Sequence, residues 1–142
     1  MKLSARTEYA CLALLHLADS WGSGQPVQIR RIADDLGIPA RFLVQILLQL
    51  KGVGLVTSVR GAGGGYLLNK PPREISLLDV LEIMDGSDEP STSCAKRSPL
   101  SDALLTLRQE CCRAQRERLE AISLANLAEQ ARSGANEPMW YI

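Results

Sequence analysis

A chain of 142 residues holds enough material for one domain, or one small domain and an appendage. Apolar residues make up 46% and charged residues 23%, which allows a core and is ordinary for a soluble protein. The longest apolar runs fall far short of a bilayer span, so a transmembrane helix is excluded and no membrane partner is expected. The net charge of zero hides an asymmetry. Residues 1–73 carry nine basic and four acidic side chains, a net of +5, and residues 74–142 carry seven and twelve, a net of −5. A nucleic-acid-binding module joined to a regulatory part would show this pattern, and so would chance clustering on a solvated surface.

The opening MKLSARTEYACLALLHLA is basic and then apolar, as a secretory leader is. Arg6, Glu8 and His16 interrupt it, and no small-residue cleavage site follows. The segment reads as a first helix over residues 4–20, with Ser4 as N-cap and Tyr9, Leu12, Ala13 and Leu17 at helical spacing. The protein is therefore expected in the cytoplasm. Gly22, Gly24 and Pro26 end this helix. Ile29, Ile32, Ala33 and Leu36 then form one apolar stripe, Gly37 marks a turn, and Pro39 sits near the next helix start, where its missing N–H costs least. Phe42, Leu43, Ile46, Leu47 and Leu50 form a second stripe, ended by Gly52 and Gly54. Two short helices across a glycine turn make a helix-turn-helix, with an ordinary helical hairpin as the plain alternative. The second helix would pack one face on the core and offer the other, with Arg41, Gln45 and Gln49, to a major groove. Arginine suits guanine and glutamine suits adenine.

LVTSVRGAGGGYLL decides between the two. Val56 and Val59 precede a glycine cluster, and Tyr66, Leu67 and Leu68 follow it, which predicts a hairpin with a glycine tip. A hairpin directly after a helix-turn-helix is a wing. Arg60 sits at the tip, where Gly61, Gly63 and Gly64 let backbone approach phosphates. A dinucleotide-binding loop would need its glycines to open a helix inside a βαβ unit, and an extended segment follows instead. Gln28, Pro39, Ala40, Phe42 and Lys51 complete the expected DNA-contacting set.

Pro71-Pro72 marks a boundary. SLLDVLEIMD over 76–85 predicts a short helix capped by Ser76 and Asp79. GSDEPSTSCAKRSP over 86–99 reads as a polar, mobile loop. From Pro99, apolar positions recur at Leu100, Leu104, Leu107, Cys111 and Ala114, with charged residues mostly between them. So narrow a stripe exceeds what one small domain covers; a partner helix from a second subunit is favoured over packing back on the same domain. The fold class is thus mainly α: a winged helix-turn-helix with a two-stranded wing and a long C-terminal dimerisation helix. The expected division is a DNA-binding domain over 1–73, a short helix and sensor loop over 74–99, a dimerisation helix over 100–132 and a tail over 133–142 holding Trp140 and Tyr141.

The four cysteines, Cys11, Cys94, Cys111 and Cys112, are not needed as disulfides in a cytosolic chain of this size, so they are packing, metal or redox groups. Cys11 reads as inert core. Arg108 and Arg113 near Cys111 and Cys112 would make those thiols more reactive, and intersubunit disulfides are one outcome. His16, the one histidine, is expected to pack or face solvent rather than bind metal. With no nucleophile and base at motif spacing, no enzymatic activity is expected.

Through MKLSARTEYA, IADDLGIPARFLVQIL, the wing, ISLLDVLEIMDG and AISLANLAE, residues 1–127 resemble the Rrf2 family of bacterial transcriptional regulators. That family includes iron–sulfur regulators of the IscR/NsrR type and cysteine-metabolism repressors. The resemblance implies a homodimer joined by crossed C-terminal helices, binding double-stranded DNA at a pseudo-palindromic operator as repressor or activator. It places Arg41, Phe42 and Gln45 on the recognition face and Arg60 with Gly61 to Gly64 in the wing. Val44 stands where some members carry an acidic base-reading residue. Many members hold an iron–sulfur cluster on three closely spaced loop cysteines; this chain keeps Cys94 alone of that set, followed by AKRSPLSDAL. A cluster would have to draw on Cys94, Cys111 or Cys112, with Glu8 from the other subunit, and adjacent cysteines on a helix point about 100° apart. Redox chemistry at Cys94, Cys111 and Cys112 is the competing sensor. A winged-helix protein-interaction module without sequence-specific DNA binding is the alternative function; it would show an acidic or apolar recognition face.

Overall fold

The computed structural model describes residues 2–87 and 89–134. Helix α1 (Ala5–Asp19) starts where the Ser4 hydroxyl accepts the Thr7 N–H. Ala10, Ala13, Leu14 and Leu17 bury its inner face, and the two alanines let neighbouring helices come close. Three later helices, α3 (Ala40–Gly52), α4 (Leu77–Asp85) and α6 (Leu124–Ser133), all pack against α1, which is the hub of the molecule.

Helices α2 (Ile29–Leu36) and α3 (Ala40–Gly52) follow, joined through Gly37. Gly37 has φ +68, in the left-handed region where a side chain is strained, so the tight turn depends on glycine. Strands β1 (Val56–Val59) and β2 (Gly65–Leu68) pair antiparallel, Val56 opposite Leu68 and Val59 opposite Gly65. The wing is anchored on its outer side as well. Val27 and Tyr66 exchange backbone N–H···O bonds of 2.9 and 2.8 Å, so the segment leading into α2 extends the sheet. This approach requires glycine: a Cβ on Gly65 would lie 2.4 Å from the Val27 oxygen, and one on Gly64 2.1 Å from the Val59 oxygen.

Helix α4 (Leu77–Asp85) opens with the expected reciprocal cap between Ser76 and Asp79. Helix α5 (Pro99–Glu120) runs 22 residues and opens with a Ser98–Ser101 cap and proline in its first turn. The single helix expected over 100–132 is two. The chain turns at 121–123, and Ser123 starts α6 (Leu124–Ser133), its hydroxyl accepting the Asn126 N–H while the Asn126 side chain accepts the Ser123 N–H. Bonds from the Leu77 N–H to the Ile122 oxygen (2.8 Å) and from the Leu124 N–H to the Ile75 oxygen (2.9 Å) hold this corner against the start of α4. Helix α6 then returns to α1, burying Leu124 and Ala128.

The expected boundary at residue 73 therefore does not divide two cores. Ile75, Val80, Leu124 and Ala128 share one apolar cluster with Leu14, Leu43, Leu47 and Leu68. Only α5 stands apart, contributing Leu119 as its one buried residue. Among the described residues no helix is long and apolar enough to cross a membrane. The expected tail lies, beyond Gly134, outside the described residues.

Candidate nucleic-acid interface

Helix α3 has two faces set by its sequence. Leu43, Ile46, Leu47 and Leu50 are buried against the core. At about 100° per residue, Arg41, Val44, Gln45 and Leu48 share the opposite arc, and all four are exposed. Phe42 lies on the flank, its ring centroid 6.2 Å from that of Tyr9 on α1. The Arg41 guanidinium carbon sits 5.0 Å from the Phe42 ring centroid, within cation–π range. Phe42 thus acts as a shelf between α1 and Arg41, orienting the cation at the exposed start of α3.

The same flank, two turns on, corrects one expectation. Gln49 is not free for base reading: its Oε1 accepts from Arg6 Nη2 on α1, and its Nε2 donates to the Ile83 oxygen in the last turn of α4. That carbonyl would otherwise be one of the unpaired groups at a helix end. Asp85, two residues later, accepts hydrogen bonds from the Thr7 hydroxyl (2.6 Å) and the Ser4 hydroxyl (3.1 Å). The start of α1, the middle of α3 and the end of α4 are thereby knotted together.

The wing stands beside the helix-turn-helix through polar contacts at both its base and its tip. Lys51 Nζ, at the end of α3, donates to Ser58 Oγ on β1 at 2.7 Å. The Gln28 side-chain amide, just before α2, lies 3.5 Å from the Ala62 oxygen at the tip. Arg60, Gly61 and Gly63 are exposed at that tip, and Gly64 is buried behind it. Gly61 has φ +106 and its carbonyl accepts the Gly64 N–H at 3.0 Å, closing the turn. Pro39 and Ala40 are exposed at the start of α3. All eleven residues expected to meet DNA thus lie on α3 or its N-cap Pro39, on the wing, or at the residue before α2, with Gly64 the one buried member. The residue sequence reasoning missed is Leu48, hidden inside the run Ile46-Leu47-Leu48; its position opposite the buried face was the signal.

The thiols and Glu8 do not come together. Glu8 is exposed in the first turn of α1. Cys94 lies against Leu104, Leu105 and Arg108 in one cleft of about 210 Å³, where the Ser91 oxygen accepts from Arg108 Nη1 at 3.0 Å. Cys112 lines a second cleft with Glu89, Gln109 and Arg116. Cys111 is exposed on the same arc as the α5 stripe. Among the described residues, no three His, Cys, Asp or Glu side chains are grouped so as to hold a metal ion. The donors of one chain thus do not fit an iron–sulfur cluster. Cys11 is buried in α1, and its thiol is pushed up to about 11, chiefly by burial, with the Asp85 and Glu8 carboxylates adding to it. His16 Nε2 pairs with Asp35 at 2.8 Å, tying α1 to α2.

The comparisons agree with this geometry. The family model described as "Iron-dependent Transcriptional regulator", Rrf2, matches residues 3–130. An rrf2-like helix-turn-helix-type transcriptional regulator of Rhodobacter capsulatus is 42% identical over 98 residues, 68% of this chain and 65% of that protein. The chain spans 53–65% of the lengths of this and the next such relatives. Among solved structures, CymR, the global cysteine regulator of B. subtilis, superposes with a TM-score of 0.81 at 29% identity, covering 91% of this chain and 97% of that one. IscR of T. potens gives 0.77 at 29% identity, covering 99% and 97%. A winged helix-turn-helix whose second helix has an exposed, acid-free outer face, matched by that family model along most of its length, places this chain in the Rrf2 family of transcriptional regulators.

Proposed function

We propose that the protein is a cytoplasmic, sequence-specific transcription regulator that binds a pseudo-palindromic operator as a homodimer. One α3 enters the major groove of each half-site, with Arg41 and Gln45 on base edges, and the Arg60 wing lies on the flanking backbone. Gln28, Pro39, Ala40, Phe42 and Lys51 frame that contact. The observation that carries this reading is the α3 arc opposite the core, exposed, free of acidic residues and oriented at Arg41 by the Tyr9–Phe42 shelf. The dimer reading rests on α5, whose Leu100, Leu104 and Leu107 are 84%, 61% and 55% exposed in the single chain. They recur with Cys111 and Ala114 at heptad spacing, the pattern of a seam awaiting a second helix.

The regulatory signal is a redox or iron–sulfur input. Support for a sensing role comes from the iron-dependence in the family description and from the cysteine regulator among the structural neighbours. Thiol chemistry at Cys94, Cys111 and Cys112 is the form these residues favour, because a cluster would need donors from two chains. Protein purified without oxygen and assayed for iron, sulfide and visible absorption separates the two.

DNA binding is tested by titrating enriched duplexes with Arg41→Ala and Arg60→Ala proteins. Loss of a bidentate Arg41 contact should cost about 1–3 kcal/mol and relax preference at one guanine. Loss of Arg60 should weaken all duplexes alike and shallow the salt dependence by about one unit. Unchanged affinity in both variants would overturn the assignment.

A further inference from the structure

The outward arc of α3 is half apolar. Val44 and Leu48, one helical turn apart, are 41% and 54% exposed, whereas the leucines and isoleucine of the opposite face, Leu43, Ile46, Leu47 and Leu50, are buried. They stand on the same arc as Arg41 and Gln45, so whatever meets those two polar residues also meets the apolar pair. We infer that Val44, with Leu48 behind it, reads the 5-methyl groups of thymines in the major groove, making at least one thymine obligatory in each half-site.

This rests on the DNA-binding reading above and deepens it. The thymine methyl is the one apolar group on a major-groove base edge, and aliphatic contact is the way protein recognises it. A cytosine at the same place would press an amino donor against Val44, an aliphatic side chain that cannot accept it. Helix α3, from Ala40 to Gly52, contains no acidic residue, and Gln49 is engaged by Arg6, so the free side-chain amide oxygen on its outer arc is that of Gln45. The surroundings suit a polyanion better than an apolar protein surface: Arg41 and Lys51 on the same helix and Arg60 in the wing are all exposed. The half-site therefore combines guanine under Arg41, adenine under Gln45 and thymine beside Val44.

The test uses the full chain to enrich binding duplexes from a random library. Each thymine of the enriched site is then replaced by uracil, which removes the methyl group. Affinities are read by fluorescence anisotropy at one salt concentration. At a contacted position the wild-type protein should bind about fourfold more weakly per methyl lost. The Val44→Ala protein, and a Val44→Ala/Leu48→Ala protein, should bind thymine and uracil duplexes alike while still losing affinity when the contacted guanine is replaced. Both residues are exposed, so neither change removes core packing. Uracil that is neutral at every position, or a double variant that still discriminates, overturns the inference. A library that yields no enriched sequence overturns the sequence-specific reading itself, which is a different result from an enriched site indifferent to uracil.

Discussion

Arg41 shows how one side chain depends on several others. Its cation rests on Phe42, Phe42 leans on Tyr9, and Tyr9 belongs to the helix around which the core is built. Glycines decide the wing with equal force. A methyl group on Gly65 would meet the Val27 carbonyl, a backbone atom that cannot swing away, at a φ of +149 that side chains rarely adopt. Gly65→Ala should therefore cost at least about 2 kcal/mol in urea unfolding and loosen the wing. Gly63, open on all sides at the tip, should accept alanine with a change under about 1 kcal/mol. Equal effects at the two positions would contradict the close approach described here.

At the scale of elements, α5 is the exception. Its neighbours are sealed into one cluster, yet it leaves a leucine seam in water. A pairing of two such seams removes that surface, and a charge in the seam would be stranded without a partner. If the proposed dimer pairs these seams, Leu104→Glu should sediment as a monomer where the unaltered protein sediments as a dimer, while leaving the helical signal of the core intact. A variant that stays dimeric would move the interface off this seam. The junction at Gln49 belongs to this scale too. By bonding Arg6 and the Ile83 carbonyl, it ties α3 to the start of α1 and the end of α4.

For the whole molecule, three of the four thiols report assembly and folding together. Cys94 is exposed and should alkylate fast in the monomer, but it shares a cleft with the seam residue Leu104, so its labelling should slow in part as the seam is covered. Cys111 lies in the seam and should be protected as protein concentration rises through the dimerisation range. Cys11 is buried, with its thiol held neutral by burial up to about 11, so it should react only on unfolding. Mass spectrometry after timed iodoacetamide exposure reads all of these in one sample. Concentration-independent labelling of Cys111 would place it outside the interface.

The elements were legible wherever local chemistry specified them. Ser4, Ser76 with Asp79, and Gly37 marked helix ends, and the stripes on α2 and α3 marked buried faces. The wing was legible because strand-forming residues flank a glycine tip too abruptly for a helix. The break at 121–123 was less so, since leucine and alanine continue the helical pattern through it. Ser123 and Asn126 form their cap there because the Ile75–Leu77 segment is present to bond the turned backbone, and that partner lies more than forty residues away in the chain. The same holds for the site. Sequence alone determined that Arg41 and Gln45 lie on the outer face of the second helix of the pair and Arg60 at the wing tip, because residue type and period carry that information locally. Only the tertiary structure decided that Gln49 faces inward, that Val44 and Leu48 face outward, and that one chain's thiols do not converge. Each of those outcomes depends on which distant helix occupies the space beside the residue, and long-range packing, unlike capping or periodicity, is not written in any short stretch of chain.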